Sequence, residues 1–464
     1  MNRHAIPGPP ESKTSLLDRA AMARHGQATL RISQTFFQDS SPLAPRARGL
    51  FSFPQAELRD GSALSPVSNK EHNNTMQKYE DIPVWGEPLL VDALEQIKMV
   101  RDTGADRVAL MADHHVGYSM PIGGVAAYRE DLSPSGVGFD IACGNKAVRL
   151  DIPLAEVRAN IEKIMDDIAS HISFGVGRSN PQPVDHELFD DPAWSLNPAK
   201  TKKQAARSQL GTVGSGNHYV DLFADEQDRV WVGVHFGSRG LGHSIADFFI
   251  QAGGGKSAMH SPPVLLHERS TIGQDYLAQM NLAGRYAYAG RDWVCQEVTQ
   301  LLGATAVEEV HNHHNFCWRE THGGQDYWVV RKGATPAFPG QRGFVGGSMG
   351  DLSVILEGVE HDHAAEAMYS TVHGAGRVMS RTQAAGKKKK GRRTGGQVTR
   401  QMMEDWVREA GVVLRGAGTD ESPHCYKRLP EVLAAHAGTI RIVHTLRPLG
   451  VAMASAHEFD PYRD

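Results

Sequence analysis

The sequence predicts one mixed α+β domain running from about residue 76 to the end of a 464-residue chain. Three observations carry that reading. Short apolar runs of strand length alternate with stretches of helical period. No internal repeat of fixed period interrupts them. Many of the 48 glycines fall at the joints between them, as turns require.

Residues 1–75 stand apart. They are rich in Ser, Pro, Arg and Gln, lack sustained periodicity, and carry nine basic against six acidic residues, net +3. Such composition cannot bury enough apolar surface to offset ordering entropy, so a flexible, weakly basic N-terminal extension is expected. Ordered sequence is expected to begin near Met76, itself a candidate start, and to continue through 76–464. Pro88 opens an amphipathic helix with Leu90, Leu94 and Ile97 at i, i+4 and i+7, and Gly104 lies just past its end. The run Val108 to Ala112 reads as a buried strand delivering Asp113 and His115 into the turn before Gly117. A polar loop is expected from Asn180 to Lys203, a second strand from Arg229 to Gly237 ending at His235, and separate helices at Gln274 to Tyr288 and Trp293 to Leu302. Residues 386–396, with Lys387 to Lys390 and Arg392-Arg393, read as a flexible basic loop.

Hydrophobic content of 40% and charged content of 22% belong to a globular protein with a sizeable core. A net charge of -4 neither demands nor excludes a nucleic-acid partner, because phosphate affinity depends on local basic patches. No apolar stretch approaches the roughly 20 residues that span a bilayer, so no membrane association is expected. Four scattered cysteines make no disulfide framework and suit a reducing cytoplasm.

Functional side chains recur where strands run into glycine turns, where backbone can approach a ligand. Gly138-Phe139-Asp140-Ile141-Ala142-Cys143-Gly144 offers a carboxylate and a thiol. Gly214-Ser215-Gly216-Asn217-His218, His235-Phe236-Gly237-Ser238-Arg239-Gly240 and His313-His314-Asn315 add imidazoles. Such a mixed hard and soft donor set suits one or two divalent transition metals in a central site lined by glycine-rich turns. Any one of these histidines alone is better read as an ordinary hydrogen-bonded residue, and Cys143 as a small buried hydrophobe. His373-Gly374-Ala375-Gly376-Arg377 places a histidine among small neighbours, as a nucleophile approached by a bulky partner requires. Arg331-Lys332-Gly333 and Gly347-Ser348-Met349-Gly350 offer cations, backbone N–H groups and a hydroxyl that suit phosphate oxygens.

Together with Asp113-His114-His115-Val116-Gly117 and Arg331-Lys332-Gly333-Ala334-Thr335, these strings closely resemble the RNA-splicing ligase RtcB family over roughly residues 76 to 453. The resemblance implies that family's single-domain α+β fold and a GTP- and manganese-dependent RNA ligase. Such an enzyme joins a 3′-phosphate or 2′,3′-cyclic phosphate end to a 5′-hydroxyl end through a histidine–GMP intermediate, in RNA repair or tRNA splicing. By match, Asp140, Cys143, His218, His235 and His314 are expected to hold Mn2+, two ions with Cys143 between them, and His373 to take GMP. Asn217, His218, Asp221, His314, Asn315, Gly347, Ser348, Met349, Ser353, His373, Ala375, Gly376 and Tyr426 are expected around the guanylate. Arg239 and Arg331-Lys332 are expected to hold the RNA ends together. The expected partners are RNA, GTP and an activating helper protein, with the chain a monomer.

Two positions depart from the family pattern. Asp221 stands where the family usually has Glu, one methylene longer. Met453 stands where a lysine that meets the nucleotide is expected. Two other functions stay open on this sequence: an RNA-binding or translation-associated paralogue without ligation, favoured by Met453, and a metal-dependent cyclic phosphoesterase. Neither needs His373 as a nucleophile.

Overall fold

The structure, a computed structural model, describes residues 76–256, 258–389, 392–456 and 458, so the extension expected over 1–75 lies outside the described residues. Two sheets and a long helix organise the chain as one large domain of helices and strands. The six-stranded sheet runs, in spatial order, Met76–Tyr79, Ile82–Trp85, Arg107–His115, Ile122–Tyr128, Gln325–Lys332 and Asn315–His322. The larger sheet runs Ala306–His313, Gly144–Pro153, Arg229–Phe236, Tyr219–Ala224, Ile440–Ser455, Ser353–Gly358 and Arg342–Val345, and Val413–Ala417 pairs in parallel with Ile440–Ser455. The chain passes from the larger sheet to the smaller within one residue, His314, between Ala306–His313 and Asn315–His322.

The helix Thr271–Leu301 ties the sheets into one unit. Its first half buries Tyr276, Met280, Leu282 and Tyr286 in the core of the six-stranded sheet. Its second half buries Val294, Cys295 and Val298 against Val148, Val232 and Val234 of the larger one. The sequence suggested two helical stretches, Gln274 to Tyr288 and Trp293 to Leu302, but the helix is continuous. Gly284 and Gly290 are places of close packing: a Cβ at Gly284 would lie 3.0 Å from the Phe316 ring, and one at Gly290 3.3 Å from Phe236.

Other boundaries also move. The first helix spans Val91–Asp102, burying Leu94 and Ile97, with Leu90 as its N-cap. The strand expected to stop at Ala112 continues to His115, so Asp113 and His115 leave from strand rather than turn. The stretch read as a polar loop to Lys203 contains two short turns of 3-10 helix and the start of the helix Ala199–Gln209. Within 386–396, Lys387–Lys389 pairs antiparallel with Arg392–Thr394.

Candidate metal and nucleotide site

Topology explains why the metal-capable residues meet. Four neighbouring strands of the larger sheet are antiparallel, so the end of one lies beside the start of the next. Register pairs His313 with Gly144, Gly144 with Phe236, and His235 with Tyr219. His314 follows the first strand, Cys143 precedes the second, His235 is near the end of the third, and His218 precedes the fourth. All four therefore gather at one end of the sheet. Asp140 joins them through a turn pressed against Gly237, where a Cβ would lie 2.2 Å from the Asp140 Oδ1 atom.

The donor atoms form two triplets that share one residue. Cys143, His235 and His314 have donors within 4.8 Å of one another, and so do Asp140, Cys143 and His218. Cys143 Sγ is 3.3 Å from His235 Nε2 and 3.7 Å from His218 Nε2. The outer nitrogens are anchored to main chain: His218 Nδ1 donates to the Val213 carbonyl at 3.0 Å and His235 Nδ1 to that of Asn217 at 3.1 Å. Each bond fixes a tautomer whose Nε2 lone pair faces inward, the usual outer support of a ligating imidazole. His218 Nε2 then confronts Asp140 Oδ2 at 3.1 Å, lone pair against carboxylate. Only a proton or a cation between them makes that arrangement favourable. His314 Nδ1 is buried with no partner among the described residues. Burial, reinforced by Asp140, pushes the Cys143 thiol well up, whereas Asp140, despite burial that raises it, is held near 2 by His218. Burial drives His235 and His314 well below the ordinary imidazole range. Neutral imidazoles, a carboxylate and a thiol needing a positive neighbour to ionise fit a divalent transition metal, and two triplets fit two ions.

Behind the cluster sits a residue the sequence reading missed. Arg291 is fully buried and donates to the carbonyls of Ala142 and Phe236, and its Nη2 lies 2.9 Å from His313 Nδ1. It thus locks the two segments carrying Cys143 and His235. No local motif marks it.

His373 lies on the far side of His314, their ring centroids 4.9 Å apart. Its Nδ1 bonds Asp113 Oδ2 at 2.6 Å, and its backbone N–H donates to the same oxygen at 2.9 Å. Asp113 is fully buried; burial raises its pKa but the charge and hydrogen bond of His373 bring it down overall. A carboxylate held ionised on Nδ1 leaves Nε2 as the lone-pair nitrogen. Gly376, at φ +76°, is required here, since a Cβ would lie 2.3 Å from the Asp113 carbonyl oxygen. Asp113 stood in a motif of the sequence but was given no role there.

His373 opens into a cleft. Asn217, Asp221, Gly347, Ser348, Met349, Ala375, Gly376 and Tyr426 line it, as do His115, Arg377 and Glu421, which the sequence reading had not assigned to it. Asn315 and Ser353 work from behind instead. Asn315 accepts from Gly333 N at 2.7 Å and donates to the Asp140 carbonyl at 3.3 Å, and Ser353 accepts from Gly347 N at 3.0 Å. Arg377 donates to Glu421 at 3.0 Å and to the Tyr426 hydroxyl at 2.7 Å. Three buried polar atoms of the wall, Tyr219 Oη, Asp221 Oδ1 and Ser348 Oγ, have no partner among the described residues. Burial pushes the Asp221 carboxyl well above the usual range. Met453 also lines the wall, paired in register with Tyr219 and packed with Val451 and Met349.

Arg331 and Lys332 are not phosphate clamps. The Arg331 guanidinium is fully buried and taken up by Glu320 at 2.6 and 3.0 Å, by Ser370 at 2.7 Å and by the Met368 carbonyl. Lys332 Nζ donates to the Tyr118 carbonyl at 2.5 Å, and burial brings its pKa down to about 7.

With this geometry in place, comparison with known proteins is decisive. The family model described as tRNA-splicing ligase RtcB matches residues 96–197 and 186–454. The chain belongs to the RtcB family. Its similarity to the RNA-splicing ligase RtcB of Escherichia coli K12 is 30% identity over 409 residues, covering 79% of this chain and 96% of that protein. The tRNA-splicing ligase RtcB of Archaeoglobus fulgidus is 32% identical over 450 residues, 78% of this chain and 91% of its own. That of Thermococcus kodakarensis is 31% identical, covering 74% and 86%. The RtcB model thus spans all five candidate ligands and His373. No helix among the described residues is long and apolar enough to cross a membrane.

Proposed function

We propose that this chain is a GTP- and Mn2+-dependent RNA ligase that joins 3′-phosphate or 2′,3′-cyclic phosphate ends to 5′-hydroxyl ends, in RNA repair or tRNA splicing. The observation that carries the reading is His373, poised by Asp113 between the donor cluster and a cleft with orphan polar atoms. Neutral His373 Nε2 attacks the α-phosphorus of GTP, forming a P–N bond and releasing pyrophosphate; Asp113 keeps the proton on Nδ1 and stabilises the charge that develops on the ring. Water first opens a 2′,3′-cyclic end to the 3′-phosphate, and an oxygen of that 3′-phosphate then takes the GMP, breaking the P–N bond. The 5′-hydroxyl attacks the activated 3′-phosphorus, and GMP leaves. Asp140, Cys143, His218, His235 and His314 would hold the metal, which when bound neutralises charge building on phosphoryl oxygens.

Guanine suits the orphan atoms. Its N1–H and 2-amino group present adjacent donors to a carboxylate such as Asp221, whereas adenine offers an acceptor at N1. Arg377 and Glu421 hold Tyr426 at the rim of the same cleft. A second reading, a paralogue that binds RNA without ligating, is favoured by Met453, which gives the wall an apolar end where a cation would serve a nucleotide. Incubation with α-labelled GTP and Mn2+ separates them. The ligase forms an acid-labile protein–GMP adduct that RNA 3′-phosphate discharges; absence of any adduct in metal-loaded protein rejects the proposal.

A further inference from the structure

Next to Asp140 of the donor cluster, three aromatic rings, those of Tyr118, Phe139 and His243, lie in contact. Ring contacts order the site: His373 to His314 at 4.9 Å, His314 to His235 at 5.2 Å, His235 to His218 at 5.4 Å, and then Asp140 against His218. Phe139 is the residue before Asp140. Its ring stacks on His243 at 5.0 Å with 24° between planes and meets Tyr118 edge-on at 5.9 Å. Phe139 and His243 are half-buried, and Tyr118 is 41% exposed, among the most open large apolar side chains described. The platform is rigid at its root. Gly138 beside Phe139 has φ +88°, and the Tyr118 carbonyl is pinned by Lys332. Cations flank it: Lys202 acts electrostatically on His243, and Arg239 on Asp140.

A core explanation covers the inner face of Phe139, which packs against the core of the six-stranded sheet, but not an exposed tyrosine beside it. Open rings beside lysine and arginine are what a nucleobase and its phosphates require.

We propose that Tyr118, Phe139 and His243 stack the base of the RNA nucleotide that carries the 3′-phosphate, presenting that phosphate to the cluster from the Asp140 side. The inference rests on the ligase reading. It follows from placement: Phe139 directly precedes Asp140 of the donor cluster, so a base stacked on these rings brings its own 3′-phosphate beside the cluster. The platform is indifferent to base identity, since every base has a stacking face.

The test compares two short, 5′-fluorescein-labelled RNAs ending in a 3′-phosphate, one intact and one abasic at its last nucleotide, by anisotropy with full-length Mn2+-loaded protein. Wild type should prefer the intact RNA by roughly tenfold or more, the effect of one stacked base. Tyr118→Ala should bring the preference close to unity, Tyr118→Phe should restore it, and Phe139→Leu should weaken it, all without loss of GMP labelling from GTP. A preference that survives in both Tyr118→Ala and Phe139→Leu overturns the proposal. So does a dependence on Tyr118 that appears only when the 5′-terminal nucleotide of a 5′-hydroxyl RNA is made abasic. If wild type takes no GMP label, the ligase reading fails, while the abasic comparison still reports on the rings.

Discussion

The donor cluster and the nucleotide cleft adjoin each other yet are built in opposite ways. The cluster is assembled at one end of four hydrogen-bonded strands, and the outer ring nitrogens of His218 and His235 are braced by carbonyls of Val213 and Asn217. The cleft draws on segments far apart in sequence, 217–221, 346–349, 373–377, 421–426 and 451–453, and leaves Tyr219, Asp221 and Ser348 with unpartnered buried atoms. A buried polar group without a partner costs on the order of 1–3 kcal/mol, which a ligand can return on binding. The contrast teaches that the cluster is preorganised by topology, while the cleft is completed by its nucleotide. Substitutions should therefore act all-or-none at the cluster and by degrees in the cleft.

The largest expected effect marks the boundary between the two. His373→Ala should abolish GMP attachment entirely while metal content, measured by elemental analysis, stays at the wild-type value. Loss of metal along with label would move His373 into the cluster and erase the division.

Next is Cys143→Ser. Because both triplets share this thiol, the variant should lose most bound Mn2+ and all ligation, an alcohol being a far poorer anionic ligand than a thiolate. His218→Asn, which touches one triplet, should lose about half as much metal. Normal stoichiometry in Cys143→Ser would reduce Cys143 to packing.

Asp113→Asn gives an intermediate effect. It keeps the shape but removes the charge on His373 Nδ1 and permits the wrong tautomer, so single-turnover GMP labelling should slow by roughly two to four orders of magnitude. GTP affinity should change little, because Asp113 supports the nucleophile rather than the nucleotide. A rate within a factor of three of wild type would mean that Asp113 only supports the fold.

What the sequence made legible was local. Asp140 with Cys143, or Asn217 with His218, could be paired on paper because one turn carries both. The strand of Arg229–Phe236 and the helix of Val91–Asp102 followed from periodicity, which is also local. The pairing of Asp113 with His373 spans 260 residues, and nothing in either segment points to the other. Arg331 shows the converse. Its charge is plain in the sequence, but Glu320, which neutralises it, sits on the neighbouring strand, so an expected phosphate clamp turned out to be a buried structural pair. Gly290 makes the same point, since the ring it approaches, Phe236, is out of sight in the local sequence.

The smallest expected effect tests the cleft by degrees. Met453 faces Tyr219 across two paired strands, and two residues earlier Val451 faces Asp221, so Met453 and Asp221 share one wall. Asp221 Oδ1 has no donor among the described residues, and burial pushes the carboxyl well above its usual range. Met453→Lys would introduce a cation beside that wall. A charge-assisted hydrogen bond is worth about 1.5–3 kcal/mol, or tenfold and more in affinity, so the GTP concentration for half-maximal labelling should fall at least tenfold with the Mn2+ requirement unchanged. The same substitution cuts into the apolar cluster of Met349, Met403 and Val407, so a fall in melting temperature of a few degrees should accompany the gain. Coupling decides the interpretation: in Asp221→Asn the lysine should lose much of its benefit. Equal benefit with and without the carboxylate would mean that the lysine reaches phosphate rather than Asp221. No benefit in either background would show that position 453 is a packing site and that the cleft, like the cluster, is already complete without a cation there.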